Sequence, residues 1–235
     1  MKEWQERLLE LIYPPRCAVC GEVLRMEERQ GFLCGSCRQI PYFPMEKCPH
    51  CGGSTKGGCC ESCLKGCAFS RGCSAFSYAT VRQAIHLFKY EGDKKIGIGL
   101  GKLMGAYITQ GHPLLTERAD MIMAVPLHWK KEKNRGFNQT HILCEEISKK
   151  TGIPFQRDGL MRKRDTVAQS ILSHEERKEN LQDAFEATAG VEGKRVLLVD
   201  DIFTTGTTCN ECAKVLYRAG ADEVMIFTLS AAGIE

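Results

Sequence analysis

The sequence has no apolar run approaching the roughly 20 residues that a membrane-spanning helix requires. Its N-terminus also lacks the uninterrupted apolar core and the small-residue cleavage site of a signal peptide. Residues 1–12 instead have the spacing of a short amphipathic helix, in which Trp4, Leu8 and Leu11 alternate with charged residues. We therefore expect a cytoplasmic protein without a membrane span.

The chain also lacks a strong charge bias, because its formal net charge is only +3. Assigning eight cysteine thiolates to two zinc ions changes this net charge to about −1. A strongly basic protein, which would bind nucleic acid through its overall charge, is therefore excluded. Positive charge is instead local and is concentrated between residues 128 and 164.

Cysteine, by contrast, is abundant, with 14 residues in a chain expected in the cytoplasm, where disulfides are rare. Four C-x-x-C pairs therefore predict metal binding, because each pair directs two sulfurs at one ion and two pairs complete a tetrahedral zinc site. The predicted ligands of two structural zinc ions are Cys17, Cys20, Cys34 and Cys37 in one site and Cys48, Cys51, Cys60 and Cys63 in the other. Residues 1–73 are thus expected to form an N-terminal helix and a Cys-rich double zinc ribbon.

Several residues near the second set leave alternatives open. Cys59 adjoins Cys60 and is able to replace it as a ligand. Cys67 and Cys73 are left over, and we interpret them as small buried or surface residues. His50 lies inside a C-x-x-C pair and is expected to be a spectator. Whether the ribbon contacts DNA, a protein or the rest of the chain stays open.

Residues 74–235 predict an α/β domain, because strand and helix patterns alternate along them. Strands are expected at 75–78, 120–125, 155–161, 195–199 and 223–229, and helices at 81–88, 98–108, 138–150, 173–183 and 208–219. Such alternation predicts a mostly parallel sheet with helices on both faces and a binding site at the carboxyl ends of the strands. Cys209 and Cys212 fall within the last helix, where we expect them to pack in the core.

The strand at 195–199 leads into the most informative segment of the chain. Two carboxylates, Asp200 and Asp201, are followed by a loop of threonines around one glycine: Thr204, Thr205, Gly206, Thr207 and Thr208. A loop that opens a helix favours an anion, because backbone N–H groups and the positive end of the helix dipole face it. Vicinal sugar hydroxyls can donate to the paired carboxylates. The segment predicts a site for a phosphorylated ribose, and the absence of a lysine after the glycine disfavours a P-loop nucleotide site.

This segment resembles the signature of type I phosphoribosyltransferases. The resemblance implies that Asp200 and Asp201 hold the ribose hydroxyls of phosphoribosyl pyrophosphate and that residues 204–208 hold its 5′-phosphate. If the chain is an enzyme, the two acids also favour the developing oxocarbenium ion. The acceptor is not identifiable from the sequence.

Two further segments fall where that resemblance implies ligand contacts. Leu127 and His128 follow a core strand, at the position of a pyrophosphate-binding loop, and Lys130 and Arg135 are expected to neutralise the pyrophosphate leaving group together with Mg²⁺. The alternative for this segment is a solvated basic turn.

The second segment contains Arg162 and Gln169, at the position of a flexible loop that closes over the substrate. Its alternative is a surface loop without function. The segment K-Y-E-G-D from Lys89 is a weaker signal, since charges often flank helix ends.

The motifs together resemble the ComF family across almost the whole chain. They are the paired C-x-x-C knuckles, K-Y-x-G-D, V-P-L followed by R-G-F-N-Q, R-x-x-x-T-x-x-Q, R-x-x-N and V-D-D-x-x-T-T-G-x-T. The resemblance implies a bacterial protein that serves DNA uptake in natural competence beside a helicase-like ATPase. Two hypotheses follow: a phosphoribosyltransferase that uses phosphoribosyl pyrophosphate and Mg²⁺, or a non-catalytic scaffold that binds single-stranded DNA and senses a nucleotide in the same pocket.

Overall fold

A computed structural model describes residues 14–31, 33–37, 48, 50–52, 59–64, 66–127, 129–163, 184–188 and 190–232. The helices predicted at 1–12 and 173–183, together with His128 and Gln169, lie outside these residues. Within the described ranges, no helix combines the length and the apolar character needed to cross a membrane.

The described elements alternate between strand and helix over most of the chain. In chain order they are α1 (Glu61–Leu64), β1 (Arg71–Ser77), α2 (Tyr78–His86), a π-helical turn (Leu87–Glu91), α3 (Lys94–Gly111), α4 (Pro113–Arg118), β2 (Met121–Ala124), α5 (Trp129–Arg135), α6 (Gln139–Thr151), β3 (Leu160–Arg162), β4 (Phe185–Ala187), β5 (Arg195–Phe203), α7 (Thr207–Arg218) and β6 (Glu223–Ala231).

Four of these strands form a parallel sheet in the order β1-β6-β5-β2. In register, Leu197 of β5 lies beside Met225 of β6 and Ile122 of β2. The parallel sheet confirms the predicted fold class. β1 begins at Arg71, so this strand spans the predicted boundary between residues 73 and 74.

One predicted strand is wrong. Residues 155–161 do not form a strand of the sheet, because Phe155 makes only an isolated bridge with Ile122. The chain then turns at 157–159, and β3 pairs antiparallel with β4 in a separate two-stranded sheet. The apolar pattern of this segment reflects packing of its ends and not one continuous strand.

The central strands β5 and β6 bury both of their faces, and successive residues alternate between two apolar cores. Leu197 and Val199 of β5 join a core formed with α3 and α6, whereas Val196 and Leu198 join a core that contains α7. Helices therefore cover both faces of the sheet, as predicted.

Helices α3 and α6 approach closely because α3 presents glycines to α6. A β-carbon added to Gly101 would lie 2.7 Å from Glu146 Cβ, and one added to Gly105 would lie 2.8 Å from Lys150 Cβ. Larger side chains at these two positions would push the helices apart. This packing positions α6, whose first residues contribute to the candidate site.

The cysteine-rich region packs directly on the sheet domain. Cys17 and Cys37 belong to the core that contains α3, whereas Cys48, Cys51 and Cys60 belong to the core that contains α7. A β-carbon on Gly21 would lie 2.5 Å from Leu87 Cδ1. The two cysteine groups thus pack on opposite faces of the sheet.

Candidate ligand site and zinc clusters

The threonine-rich loop joins the carboxyl end of β5 to the start of α7. β5 extends to Phe203, so Asp200 and Asp201 lie within the strand and not after it. Gly206 has a φ of 73°, in the left-handed region that glycine adopts at little cost, and precedes the first helical residue, Thr207. Among the described residues, no side chain caps this helix end, and its first N–H groups face the loop.

This loop borders a cavity of about 400 Å³ at the carboxyl edge of the sheet. The cavity lies where ligands bind in open parallel sheets. Its lining residues are Lys89, Tyr90, Val125, Pro126, Leu127, Arg135, Asn138, Gln139, Thr140, Arg162, Asp200, Asp201, Ile202, Phe203, Thr204, Gly206, Thr207, Thr208 and Cys209.

The two adjacent acids differ in their environments. Asp201 forms an ion pair with Lys89, with 2.6 Å between Nζ and Oδ2. Asp200 Oδ1 accepts a hydrogen bond from the backbone N–H of Asp201 at 2.8 Å. Burial, followed by the charge of Asp201, raises the pKa of Asp200 to about 7. Near neutral pH the protonated and ionised forms of Asp200 are therefore present in comparable amounts.

Three cationic side chains also line the cavity. Arg135 lies over the Tyr90 ring, with its guanidinium carbon 5.9 Å from the ring centroid. Burial lowers the pKa of Arg135, and the charge of Asp201 opposes this effect. Arg162 lies over the Phe185 ring at 5.5 Å. Lys89, Arg135 and Arg162 give the lining three positive charges against the two acids.

A second helix N-terminus also faces the cavity. Asn138 caps α6, because its Oδ1 accepts a hydrogen bond from the Thr140 N–H at 3.0 Å. Gln139 is buried, and its Nε2 has no hydrogen-bond partner among the described residues. Two helix dipoles thus direct their positive ends at one cavity, which favours an anionic ligand.

The structure brings most of the predicted binding residues together. Those lining the cavity are Leu127, Arg135, Arg162, Asp200, Asp201, Thr204, Gly206, Thr207 and Thr208. Thr205 lies beside it and shares a hydrogen bond of 2.8 Å with the Thr207 hydroxyl. Lys130, predicted to neutralise pyrophosphate, is exposed on α5 and is not among the lining residues.

The sequence analysis did not single out several of the lining residues as binding residues. Lys89 belonged to a weak motif, and its pairing with Asp201 depends on the packing of distant segments. Tyr90 belonged to the same weak motif, whereas Thr140 and Phe203 carried no signal of their own. Asn138 and Gln139 carried a signal as part of the R-G-F-N-Q motif, in the basic segment predicted to bind pyrophosphate.

The cysteines form two groups of four, as predicted. In each group, Cys17 with Cys20, Cys34 and Cys37 and Cys48 with Cys51, Cys60 and Cys63, the sulfurs lie within 4.8 Å of one another. The Sγ atoms of Cys20 and Cys34 are 3.7 Å apart, and those of Cys51 and Cys60 are 3.6 Å apart. Tetrahedral zinc with Zn–S bonds of about 2.3 Å requires a separation of about 3.8 Å, so both groups fit this ion.

The structure narrows the choice of possible zinc ligands in the second cysteine group. Cys60 belongs to the cluster, whereas Cys59 is exposed. His50, Cys63 and Cys67 also have potential ligand atoms within 4.8 Å of one another. Cys209 and Cys212 are buried in α7, in agreement with a packing role, and burial raises the pKa of both thiols.

The fold and the loop define a phosphoribosyltransferase-like α/β protein that carries a double zinc ribbon. Residues 139–234 match the phosphoribosyl transferase domain, and residues 8–64 match the double zinc ribbon domain. The chain is 30% identical over 226 residues to the DNA utilization protein YhgH of Escherichia coli K12, covering 93% of this chain and 98% of that protein. It belongs to the ComF family.

Other relatives extend over nearly the same length. Competence protein F of Haemophilus influenzae is 30% identical over 227 residues, covering 92% of this chain and 97% of that protein. Competence protein ComFC of Streptococcus pneumoniae is 28% identical over 229 residues, covering 91% and 99%. A solved glutamine phosphoribosylpyrophosphate amidotransferase from B. subtilis is 25% identical, covering 57% of this chain and 26% of that protein, with a TM-score of 0.40.

Proposed function

We propose that the cavity binds phosphoribosyl pyrophosphate with Mg²⁺, that the protein transfers its phosphoribosyl group to an acceptor, and that this activity serves DNA uptake. One observation carries the proposal: the paired acids and the threonine-rich loop line a single cavity at the carboxyl edge of a parallel sheet. That arrangement supplies separate contacts for a phosphate and for a sugar.

The loop is suited to the 5′-phosphate. Thr204, Gly206, Thr207 and Thr208 all line the cavity, and such residues carry N–H groups and hydroxyls that can donate to a phosphate. Donors of this kind, fixed by the backbone at the start of α7, bind phosphate without large rearrangement. Binding energy at the phosphate would hold the anomeric carbon in a fixed position.

The acids are suited to the ribose. Two adjacent carboxylates accept hydrogen bonds from vicinal hydroxyls, and hydroxyl donation favours the ionised form of Asp200 over the protonated form. The negative charge of Asp200 and Asp201 also stabilises positive charge that develops on the sugar ring during transfer.

The pyrophosphate is expected at the part of the cavity wall formed by the segment after β2 and the start of α6. Pro126 and Leu127 contribute this wall, and Arg135 lies close by on the cavity lining. Three cations against two acids do not balance the charge of a pyrophosphorylated sugar. Mg²⁺ bound with the ligand would supply the remaining neutralisation.

Calorimetric titration of zinc-loaded protein with phosphoribosyl pyrophosphate and Mg²⁺ tests the proposal. We expect saturable binding that the double substitution Asp200→Ala and Asp201→Ala abolishes. Asp222→Ala is the matched control, because Asp222 is an exposed acid beyond the opposite end of β5. Absence of binding to the folded wild-type protein would refute the proposal.

The role in DNA uptake is supported by the names of the relatives, which refer to competence and DNA utilization. A second function is favoured by the exposure of Lys130 and Lys133 on α5, outside the cavity lining. These cations are suited to contacting single-stranded DNA, with the cavity then sensing a nucleotide without catalysis. Binding without pyrophosphate release in the presence of candidate acceptors, together with salt-dependent DNA binding, would favour this scaffold.

The cytoplasmic location and the helicase-like ATPase partner stay predictions from the sequence. The division at residues 73 and 74 likewise stays a prediction from the sequence, and β1 crosses this position. Co-purification of the full chain with the ATPase encoded by the same cell would test the partner.

A further inference from the structure

A short segment connects the second zinc cluster to the sheet domain and passes beneath the phosphate-binding loop. This segment, residues 66–70, follows α1 and leads into β1. Phe69 is its buried side chain, with 2% of its surface exposed. Phe69, Phe203, Cys209 and three ligands of the second cluster all belong to the same apolar core.

The zinc side of this connection involves His50, which lies between two ligands of the second cluster. Its Nε2 is 3.0 Å from the carbonyl oxygen of Phe69, and because a carbonyl only accepts, Nε2–H is the donor. The two rings also lie 5.3 Å apart between centroids. The backbone and ring of Phe69 are therefore both positioned by a residue whose place is set by Cys48 and Cys51.

The ligand side of the connection begins at Phe203, the last residue of β5. The ring of Phe69 meets that of Phe203 edge to face, with centroids 6.4 Å apart and an interplanar angle of 84°. The Phe203 ring in turn lies against the loop, since a β-carbon on Gly206 would be 2.6 Å from Phe203 Cζ. A displacement of the Phe203 ring would therefore change the packing around Gly206, which adopts the left-handed conformation.

A second contact joins the same segment to the helix that follows the loop. Asn210 Oδ1 accepts a hydrogen bond from the Ala68 N–H at 2.6 Å. The N–H of Asn210 itself donates to the Gly206 carbonyl at 2.8 Å. Residues 68 and 69 thus hold both the strand end before the loop and the first turn after it.

We infer that the second zinc cluster positions the phosphate-binding loop through His50, Phe69 and Phe203, so that loss of this zinc weakens ligand binding. The consequence for the ligand rests on the proposed function, whereas the positioning of the loop does not. Phe69 and Asn210 are positioning residues, because neither is among the residues that line the cavity.

Hydrogen exchange of the ligand-free, zinc-loaded protein tests the positioning directly. In Phe69→Ala and Asn210→Ala we expect faster exchange at the amides of residues 204–209 than in the wild type. Leu100→Ala is the control for a general loss of core packing, because Leu100 is buried in the core on the other face of the sheet. Cys48→Ser, which removes a ligand of the second zinc, should reproduce the Phe69 effect, whereas Cys17→Ser should not.

Titration with phosphoribosyl pyrophosphate and Mg²⁺ then tests the functional consequence. We expect Kd to rise about tenfold in Phe69→Ala, within the usual range for coupling between two sites. Phe69→Leu, which keeps more apolar volume, should recover part of the affinity. Metal analysis must show two zinc ions in each Phe69 variant, so that an effect of the aromatic contact is separated from loss of metal.

Two outcomes would overturn the inference. One is unchanged exchange at residues 204–209 in Phe69→Ala, Asn210→Ala and Cys48→Ser. The other is an equal increase in Leu100→Ala, which would mean that the loop responds to any loss of stability. Faster exchange in a protein whose wild type binds no phosphoribosyl pyrophosphate would instead support the positioning and refute the proposed ligand.

Discussion

Ligand binding should depend on pH through Asp200. This carboxyl has its pKa raised from its ordinary value of 3.8 to about 7, chiefly by burial and then by the charge of Asp201. In the proposed complex, ribose hydroxyls would donate to the ionised carboxylate and lower its pKa. Binding below the pKa of the free protein therefore releases a proton, and affinity rises with pH until Asp200 is already ionised.

The size of the effect follows from this pKa. A single proton released below a midpoint of about 7 makes Kd fall by about tenfold between roughly pH 6 and pH 8. Above about pH 8 the dependence on Asp200 should disappear, because the free protein is then fully ionised at this position.

The ligand contributes its own titration, which needs a control. A phosphate monoester has a second pKa near ~6, so its ionisation also strengthens binding as pH rises. Asp200→Asn removes the protein contribution and leaves that of the ligand. Calorimetry in two buffers with different ionisation enthalpies would count the protons released in each protein.

The test compares the number of protons released by the wild type with the number released by Asp200→Asn. We expect the wild type to release more protons than Asp200→Asn near about pH 6.5, in line with one extra titrating group. Equal proton release would refute the reasoning, because Asp200 would then be either already ionised or not involved in the ligand complex.

Three further predictions rest on single contacts. Lys89→Met removes the ion pair with Asp201, and because Lys89 lowers the pKa of Asp200, this pKa should rise in the variant. The midpoint of the pH dependence of ligand affinity should then shift to higher pH, which the same titration measures. Gly206→Ala should lower the free energy of unfolding in urea by about 2 kcal/mol, because alanine is strained in the left-handed region and meets the Phe203 ring. Gly101→Leu should lower it by about 1–3 kcal/mol by forcing α3 from α6.

Each of these has a result that would contradict it. An unchanged or lower midpoint in Lys89→Met would mean that the ion pair does not act on Asp200. Wild-type stability of Gly206→Ala would show that the loop accepts another conformation. For the contact between α3 and α6, Gly111→Ala is the matched control, because the nearest atom to a β-carbon at Gly111 lies 3.9 Å away. If Gly111→Ala destabilised the protein as much as Gly101→Leu, the loss would come from backbone effects and not from packing.

Several elements of the fold were predictable because their signals are local. The cap at Asn138 and the glycine at 152 fixed the bounds of α6 closely, and the apolar run before Asp200 predicted β5. The strand predicted at 155–161 failed because apolar residues there serve two different contacts, a bridge at Phe155 and the short β3. Spacing along the chain does not distinguish these cases.

The residues of the candidate site were likewise predictable only where their signal is local. The segment from Asp200 to Thr208 is contiguous in sequence, so its residues stay together at the cavity regardless of the position of β5 in the sheet. Lys130 and Arg135 are close in sequence on α5, yet only Arg135 is among the lining residues. Which side of a short helix faces a cavity depends on its packing, and the basic pattern of this segment did not contain that information.

The sequence by itself determined the features that depend on near neighbours: the two cysteine clusters, the acid pair, the threonine-rich loop and the alternation of strands and helices. Only the tertiary structure decided the contacts between distant segments. The sheet order β1-β6-β5-β2 brings Lys89 to Asp201 and the second zinc cluster to the underside of the loop. The physical reason is that such contacts form by packing between elements, whose partners are set by the whole sheet and not by local spacing.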